Sequence, residues 1–293
     1  MKFIKKLKSL LLFFKEQRRI NARVQMALGR IELNQQIGRG SYDLKQNEFT
    51  VFSQWGEDGI LQFLIRNTVV KNHIFVEFGV ENYTEANTRF LLMNNNWSGL
   101  ILDGSLDNIN SVREEDLYWR YSLKAEQAFV TRENINELIK KNGISGEIGL
   151  LSIDIDGNDY WVWQAIDVVN PAIVVVEYNY RFGPSRAVTV PYRADFTRGK
   201  AHHSMIYYGA SLKALCLLGE RKGYSFVGCN SAGNNAFFVR KDLMNDKLRE
   251  CSPEDGFVAG RFRESRDQKG LLTLLSHQDE ELLLSSLALV DVG

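Results

Sequence analysis

The feature that most constrains the fold is a series of short apolar runs that end in acidic or polar residues, with helical periodicity between them. Strands that alternate with helices predict a parallel sheet joined by right-handed crossovers. The run Ile173–Val176 is apolar at every position, as expected for a strand buried on both faces. The predicted strands are 74–79, 99–103, 122–130, 148–154 and 172–178, and the helices between them are 85–96, 106–118, 132–142 and 159–169.

Two more strands are predicted late in the chain, after a polar and aromatic insertion over 179–208. A helix over 211–222 leads into strands at 224–228 and 236–240, which turn residues at 230–234 separate. Such a short connection predicts an antiparallel hairpin at the edge of the sheet.

The chain therefore divides into three parts. A basic helical segment over 1–36 precedes an α/β domain over 37–245, which begins with a Gly-rich linker at 37–48. A C-terminal extension over 246–293, Leu-rich near its end, is predicted to be helical.

Charge is balanced over the whole chain, with 36 basic and 36 acidic residues, so no global attraction to nucleic acid is expected. The N-terminus is the exception, because residues 1–24 carry eight Lys and Arg against Glu16 alone, a net charge of +7. This pattern favours either a helix lying on anionic lipid or a helix packed on its own domain or on a second subunit. The apolar positions at helical spacing are Phe3, Ile4, Leu7, Leu10, Leu11 and Phe14.

Three widely spaced cysteines, Cys216, Cys229 and Cys251, form no disulfide framework or metal motif, which favours reduced thiols in a cytoplasmic protein. No apolar run approaches the length of a membrane span. We therefore expect a cytoplasmic protein, held peripherally on the inner face of the membrane if residues 1–24 bind lipid.

Two of the predicted strands end in patterns that can describe a nucleoside pocket. The first ends in Glu77 and Gly79, and the second ends in Asp103, 24 positions after Gly79. A carboxylate at the second position could accept hydrogen bonds from two ribose hydroxyls, at the sheet edge where ligands of open α/β sheets bind. The alternative is that Glu77 and Asp103 are solvated caps at strand ends.

The first turn lacks the glycine pattern that holds a dinucleotide pyrophosphate. Acidic residues surround it instead, at Glu77, Glu81 and Glu85, and these would repel phosphate. They suit a cationic ligand without phosphate, such as S-adenosylmethionine.

A further acidic pattern follows the fourth strand, at Asp154 and Asp156, and Glu177 and Asn179 follow the fifth. Alternate residues of a strand share a face, so the two aspartates would point the same way if the strand persists. Hard oxygen ligands of this kind suit Mg²⁺ or another divalent cation, and we predict Asp154, Glu177 and Asn179 as its ligands. Alternatively, Asp156 is a general base, or Asp154 contacts cofactor or substrate without a metal.

The 179–208 insertion combines cationic and aromatic residues. His202 is a candidate base near neutral pH, and Tyr180, Arg181 and His203 are candidate substrate ligands. The combination suits a sugar that bears phosphate or another anionic group. RNA is disfavoured because no basic stripe extends through the core.

Several motifs together resemble the FkbM-like branch of class I S-adenosylmethionine-dependent methyltransferases. The resemblance spans roughly 50–242 and omits both ends. Its motifs are Ser53-Gln54-x-Gly56-Glu57-Asp58-Gly59, Phe75–Gly79, Trp97-x-Gly99, Asp103-Gly104, Ile153–Gly157, Val175–Asn179 and Asn235–Val239.

The resemblance implies a Rossmann-like, mostly parallel seven-stranded sheet with an antiparallel last strand and helices on both faces. It implies methyl transfer to oxygen, often on sugars, with Glu77 and Gly79 at the methionine end and Asp103 at the ribose. The cofactor-binding set is then Gln54, Glu77, Gly79, Asn82, Asp103, Gly104 and Asp154.

The acidic pattern also resembles that of metal-dependent sugar O-methyltransferases, which carry an Asp-Asp pair after strand five where this chain has Glu177-Tyr178-Asn179. Commoner FkbM members carry Asp-Val-Glu-Gly after strand four, where this chain has Asp154-Ile155-Asp156-Gly157. The expected acceptor is a sugar hydroxyl of a cell-surface polysaccharide, a glycolipid or a precursor. The alternatives are a methyltransferase for a small lipid or peptide, and a non-catalytic scaffold that keeps the fold.

Overall fold

The computed structural model describes residues 2–293, with the side chains of residues 2–5, 7, 8, 11 and 15 excepted. Four apolar positions of the predicted N-terminal stripe, Phe3, Ile4, Leu7 and Leu11, therefore lie outside the described side chains.

The chain alternates strands and helices through its centre, as predicted. The helices are α1 (Lys2–Arg39), α2 (Glu57–Asn67), α3 (Arg89–Asn95), α4 (Leu106–Glu114), α5 (Asp116–Arg120), α6 (Ile135–Lys141), α7 (Asp159–Ala165), α8 (Arg198–Ala201), α9 (Leu212–Arg221), α10 (Pro253–Gly256) and α11 (His277–Ser285). The strands are β1 (Ile74–Phe78), β2 (Ser98–Asp103), β3 (Leu123–Gln127), β4 (Gly146–Ile153), β5 (Val169–Glu177), β6 (Val188–Thr189), β7 (Tyr224–Cys229), β8 (Asn235–Arg240) and β9 (Val290–Asp291).

Seven strands form one sheet in the order β3-β2-β1-β4-β5-β8-β7. Strands β1 to β5 pair in parallel, and β8 lies antiparallel between β5 and β7. This topology confirms the predicted Rossmann-like fold with a reversed last strand. A second, two-stranded sheet of β6 and β9 was not predicted; it ties the 179–208 insertion to the C-terminal end of the chain.

Helices cover both faces of the large sheet because alternate strand residues point to opposite sides. Val76 and Phe78 pack on one face with a buried cluster that includes Trp163 of α7 and Leu215 of α9. Phe75 packs on the other face, with α2, α3 and α4. The core therefore consists of two apolar layers, and the carboxyl ends of the parallel strands remain free to form a site.

Helix α1 joins the domain through its C-terminal half. Met26 packs with Phe49 and Phe90, and the Gln36 side chain donates to the backbone oxygens of Asn47 and Gly59. The helix continues to Arg39, into the segment that we predicted as a linker. Within residues 2–293, no helix combines the length and the apolar composition that crossing a bilayer requires.

The C-terminal extension differs from its predicted helical form. Helices occupy only Pro253–Gly256 and His277–Ser285, and the segment between them is mostly irregular. This irregular segment packs over the carboxyl edge of the sheet, where it supplies Phe262 and Glu264 to a cavity.

Candidate active site

A cavity of about 590 Å³ opens at the carboxyl ends of β1, β2, β4 and β5. Its volume lies in the usual range for small-molecule sites. Six of the seven predicted cofactor-binding residues line it: Gln54, Glu77, Gly79, Asp103, Gly104 and Asp154. The seventh, Asn82, is exposed, and its side chain accepts a hydrogen bond from the Thr84 amide at 3.0 Å.

Gly79 closes the turn after β1 and brings the ends of β1 and β4 together. Its φ of +73° lies in the left-handed region, and a Cβ added there would overlap the carbonyl oxygen of Asp154. Glycine is therefore required here by the close approach of two backbones.

Glu77 organises the loop that follows this turn. Its carboxylate accepts hydrogen bonds from the amides of Asn87 and Thr88 at 2.8 and 3.1 Å, and from the hydroxyls of Thr88 and Ser152. These bonds hold residues 87 and 88 just before α3, which begins at Arg89 and therefore later than the predicted residue 85. Burial raises the pKa of Glu77, even though each of these hydrogen bonds lowers it.

Asp103 lies at the end of β2 and is 8% exposed. One carboxylate oxygen accepts from the Glu81 amide at 2.8 Å. The other accepts from the Ser105 amide and the Asn108 side chain at 2.8 and 3.1 Å. Because a carboxylate offers about four acceptor positions, Asp103 retains capacity for a ligand hydroxyl.

The chain after β3 forms an apolar wall beside Asp103. Ala128, Phe129 and Val130 line the cavity here, and Phe129 is 45% exposed. The sequence predicted a strand over these residues, whereas β3 ends at Gln127. An apolar wall next to a carboxylate suits a nucleoside, with the base on the wall and the ribose at Asp103.

The loop over 51–58 is built around two acidic side chains. One oxygen of Asp58 accepts the backbone amides of residues 51–53 at 2.7–2.8 Å. Glu57 accepts from the side chains of Asn230 and Asn235 at 2.7 and 2.8 Å. The Ser-Gln-Trp-Gly-Glu-Asp-Gly motif thus fastens this loop to the β7–β8 hairpin.

This loop presents Gln54 and Trp55 to the mouth of the cavity. The Trp55 ring stacks on Phe262 of the C-terminal extension, with centroids 6.3 Å apart and an angle of 11° between planes. Trp55 remains 42% exposed, so an aromatic surface faces solvent at the entrance.

Three carboxylates converge at the end of the cavity formed by β4 and β5. Asp154, Asp156 and Glu177 each bring an oxygen within 4.8 Å of the others. Glu177 is 8% exposed, and its Oε2 is buried with no hydrogen-bond partner among the described residues. Burial, followed by the neighbouring carboxylates, raises the pKa values of Asp154 and Glu177 well above their usual range.

The turn after β4 directs Asp156 into this cluster. The strand ends at Ile153, so the two aspartates do not meet through strand alternation as predicted. Asp159 accepts the amides of Ile155 and Gly157 at 2.8 and 2.9 Å, and Asp156 is held at a φ of +55°. A non-glycine residue in this conformation costs about 1–3 kcal/mol, which the surrounding bonds must offset.

Arg198 is a site residue that the sequence did not identify. Its Nη1 lies 2.9 Å from Asp156, its Nη2 pairs with Glu264, and its guanidinium lies 4.0 Å above the ring of Tyr208. Arg198, Tyr208 and Glu264 all line the cavity. No local motif marks them, because Arg198 begins the short helix α8 and Tyr208 and Glu264 come from irregular segments that are far apart in the chain.

Asn179, which the sequence suggested as a metal ligand, lies outside the cavity lining. Its side chain is buried and donates to the carbonyls of Ile206 and Tyr208 at 2.9 and 3.1 Å, while its oxygen accepts from the Arg181 amide. Asp156 takes its place beside Asp154 and Glu177.

The predicted substrate and base residues in the insertion lie outside the cavity lining. Tyr180 is buried and donates to the Phe262 carbonyl at 3.1 Å, and Arg181 pairs with Glu280 and Glu264 at 2.9 and 3.2 Å. Tyr180 and Arg181 therefore hold the C-terminal extension in place through these bonds.

The histidines form a separate pair. The His202 Nδ1 lies 2.7 Å from the Ser204 hydroxyl, and the His202 ring contacts exposed His203, with ring centroids 4.2 Å apart and the planes tilted by 38°. Burial lowers the pKa of His202.

The cavity is therefore strongly acidic. The one cation of its lining among the described residues, Arg198, is paired with Asp156 and Glu264. The residues of the insertion suggested a sugar that bears phosphate or another anionic group, and such a ligand does not suit this charge distribution.

We predict that the protein becomes less stable as pH rises from 4 to 7. Burial raises the pKa values of Asp58 and Asp159 to about 6. A carboxyl group that binds its proton more tightly when folded stabilises the protein in acid, and this contribution is lost as pH rises through the folded-state pKa. The expected loss between pH 4 and pH 7 is about 2 kcal/mol for each of these two groups.

Denaturant unfolding in EDTA across this pH range measures the effect. Because the pKa values of Asp154 and Glu177 are also raised, the decline should continue above pH 6. A free energy of unfolding that increased from pH 4 to 7 would contradict the prediction.

Comparison with known proteins adds a remote structural similarity. No protein-family model and no curated protein matches the chain. A solved S-adenosylmethionine-dependent methyltransferase from Clostridium acetobutylicum ATCC 824 is similar over 63% of this chain and 90% of its own, with 10% identity and a TM-score of 0.39. M. capricolum TrmK, solved with the cofactor product S-adenosyl-homocysteine, is similar over 64% of this chain and 70% of its own, with 11% identity and a TM-score of 0.35. At this distance neither structure carries an inference about what this chain does.

Proposed function

We propose that the protein is an S-adenosylmethionine-dependent methyltransferase. The observation that carries this proposal is the position of Asp103, a carboxylate at the end of β2 beside the apolar wall of Ala128–Val130. A nucleoside bound there would place its ribose at Asp103 and extend toward Gly79 and the acidic cluster. The acidic surroundings favour a sulfonium and an ammonium group over a phosphate.

The reaction is an in-line displacement at the sulfonium methyl carbon. The acceptor oxygen forms the new C–O bond as the S–CH₃ bond breaks, and the hydroxyl proton passes to a base. The protein must align the two reactants and accept this proton. Asp154, Asp156 and Glu177 are the candidate bases that accept this proton, because all three face one end of the cavity.

The proposed acceptor is a sugar hydroxyl in a cell-surface polysaccharide, a glycolipid or a precursor, as in the FkbM-like branch. Carboxylates suit this acceptor because they accept hydrogen bonds from neighbouring hydroxyls. Aromatic surfaces of Trp55 and Phe262 at the entrance suit the apolar face of a sugar ring. A neutral sugar fits the acidic cavity better than a phosphorylated one.

The acidic cluster also fits a divalent cation. Its donors are hard carboxylate oxygens, and Glu177 Oε2 is buried without a partner among the described residues. We propose Asp154, Asp156 and Glu177 as the ligands. A bound Mg²⁺ would hold a sugar diol and lower the pKa of its hydroxyl.

Isothermal titration with S-adenosylmethionine tests the cofactor assignment. We expect Asp103→Ala to weaken binding by about 100-fold, since charge-assisted hydrogen bonds contribute about 1.5–3 kcal/mol each. Asp107→Ala is the matched control, because Asp107 is exposed on the adjacent helix α4. Unchanged affinity in a folded Asp103→Ala protein would contradict this cofactor assignment.

A panel of acceptors then separates the possible functions. Methyl transfer to sugars would support glycan methylation. Transfer to a small lipid or peptide would contradict the sugar acceptor and assign the protein to that acceptor class instead. A folded protein that binds no S-adenosylmethionine, with or without Mg²⁺, would favour a non-catalytic scaffold.

A further inference from the structure

Helix α1 carries a long exposed segment before it reaches the domain. The described side chains between Lys6 and Arg18 are all exposed. The ion pair between Arg19 and Asp116 of α5, at 3.2 Å, marks the point where the helix meets the domain. At 1.5 Å per residue, the part of the helix before Arg19 is about 25 Å long.

The helix has two apolar faces on opposite sides. One is buried against the domain and includes Met26 and Gly29, with polar Gln36 beside them. At 100° per residue, a second stripe lies about 180° away from the first. This outer stripe consists of Phe13, Ile20, Val24, Leu28 and Ile31, which are 42–57% exposed.

Near the N-terminus, apolar side chains cover more than half of the helix circumference. Leu10, Leu12, Phe13 and Phe14 are 50–67% exposed. At 100° per residue these four positions spread over an arc of about 200° around the axis. This arc is wider than the apolar stripe of about 100° with which a helix usually packs on a neighbour.

Basic residues accompany this apolar surface. Residues 1–24 carry a net charge of +7, and Lys6, Arg18 and Arg23 are exposed. Two copies of this segment, packed in either direction, would bring like charges together, which disfavours a second copy as the partner. An anionic surface is favoured by both the charge and the apolar side chains.

An exposed tryptophan lies close to the point where α1 meets the domain. Trp119 of α5 is 72% exposed, and the Arg120 guanidinium lies 4.9 Å from its ring. Asp116 pairs with both Arg19 and Arg120, so this surface is continuous with α1. Tryptophan and arginine are typical of the boundary between lipid and water.

We propose that the outer stripe of α1, the apolar turn at 10–14 and Trp119 together bind the surface of an anionic lipid bilayer. The helix lies along the surface, with its apolar residues among the acyl chains and its basic residues at the headgroups. This proposal does not depend on the methyltransferase function.

Sedimentation of the full chain with lipid vesicles tests this proposal. We expect binding to vesicles of phosphatidylcholine with phosphatidylglycerol to exceed binding to phosphatidylcholine alone by about tenfold or more, and to weaken as salt is added. Absence of binding to the anionic vesicles at low salt would overturn the proposal.

Substitutions locate the binding surface. The double substitution Leu12→Asp and Phe13→Asp should reduce vesicle binding by about tenfold or more, because both side chains would enter the acyl region. The matched control is Val69→Asp with Leu282→Asp, at positions that are 70% and 72% exposed elsewhere on the domain. Equal binding by the two double variants would overturn the proposal.

A charge substitution keeps the test decisive if aspartates disrupt the helix. Arg23→Glu should weaken binding to anionic vesicles, whereas Arg249→Glu, at another exposed position, should not. Sedimentation equilibrium, which measures the oligomeric state, tests the alternative that a second copy of the chain covers this stripe. A dimer that Phe13→Asp dissociates, together with no vesicle binding, would assign the stripe to a second copy of the chain.

Discussion

Replacement of Glu177 by glutamine is expected to lower the rate of methyl transfer by about 10²–10⁴-fold while the protein remains folded. Glutamine keeps the size of the side chain but removes its charge. The loss is expected whether Glu177 accepts the proton or holds a cation, because Glu177 lies in the carboxylate cluster with Asp154 and Asp156. Initial rates on the acceptor found in the panel measure the effect.

The stability of the same variant separates the role of proton acceptor from the role of cation ligand. Burial and nearby carboxylates disfavour the ionised form of Glu177, so in EDTA at pH 7 the variant should unfold at a higher temperature than the wild type. If Glu177 is a cation ligand, Mg²⁺ or Mn²⁺ should stabilise the wild type and not the variant. A wild type that is insensitive to these cations would leave Glu177 as a proton acceptor.

Glu137→Gln is the matched control, since Glu137 is exposed on α6. Its rate and unfolding temperature should equal those of the wild type. A Glu177→Gln protein with the wild-type rate would show that the cluster takes no part in the transfer.

Gly79→Ala is expected to destabilise the protein by about 4 kcal/mol, the sum of a strained backbone and an overpacked contact. Alanine disfavours the φ of +73°, and its Cβ would overlap the carbonyl oxygen of Asp154. Relieving this overlap would separate the ends of β1 and β4. Because whole proteins are stable by only about 5–15 kcal/mol, a large part of the stability would be lost.

Gly104→Ala is the control at the end of the neighbouring strand. A Cβ there would meet only the Phe129 ring, at 3.6 Å, which is an ordinary contact. Thermal and denaturant unfolding should therefore show little change for Gly104→Ala. Equal stability of both variants would contradict the steric explanation for Gly79.

The sequence identified the strands and most of the cavity residues that lie at the ends of β1 and β2. This was possible because the period of side chains along a strand and the alternation of strands with helices are local properties. Parallel strands bring their carboxyl ends to one edge, so Glu77, Asp103 and Asp154 meet whatever the detailed packing. Their position at the cavity therefore followed from the strand pattern.

The sequence was less informative about the part of the cavity near β4 and β5. It assigned roles to Asn179, Arg181 and His202, none of which lines the cavity and each of which bonds to neighbouring protein groups instead. The direction of a side chain in an irregular segment depends on which backbone groups and charges surround it. Those partners are distant in the chain, as with Arg181 and Glu280.

What the sequence alone determined is the α/β architecture and the acidic edge of the sheet, because strand order leaves these residues no other place to meet. What only the tertiary structure decided is the second half of the site. Asp156 enters the cluster through a turn held by Asp159. Arg198 reaches it from the start of α8, and Glu264 reaches Arg198 from the irregular C-terminal segment. Their positions follow from packing and ion pairing between distant parts of the chain, which no local pattern records.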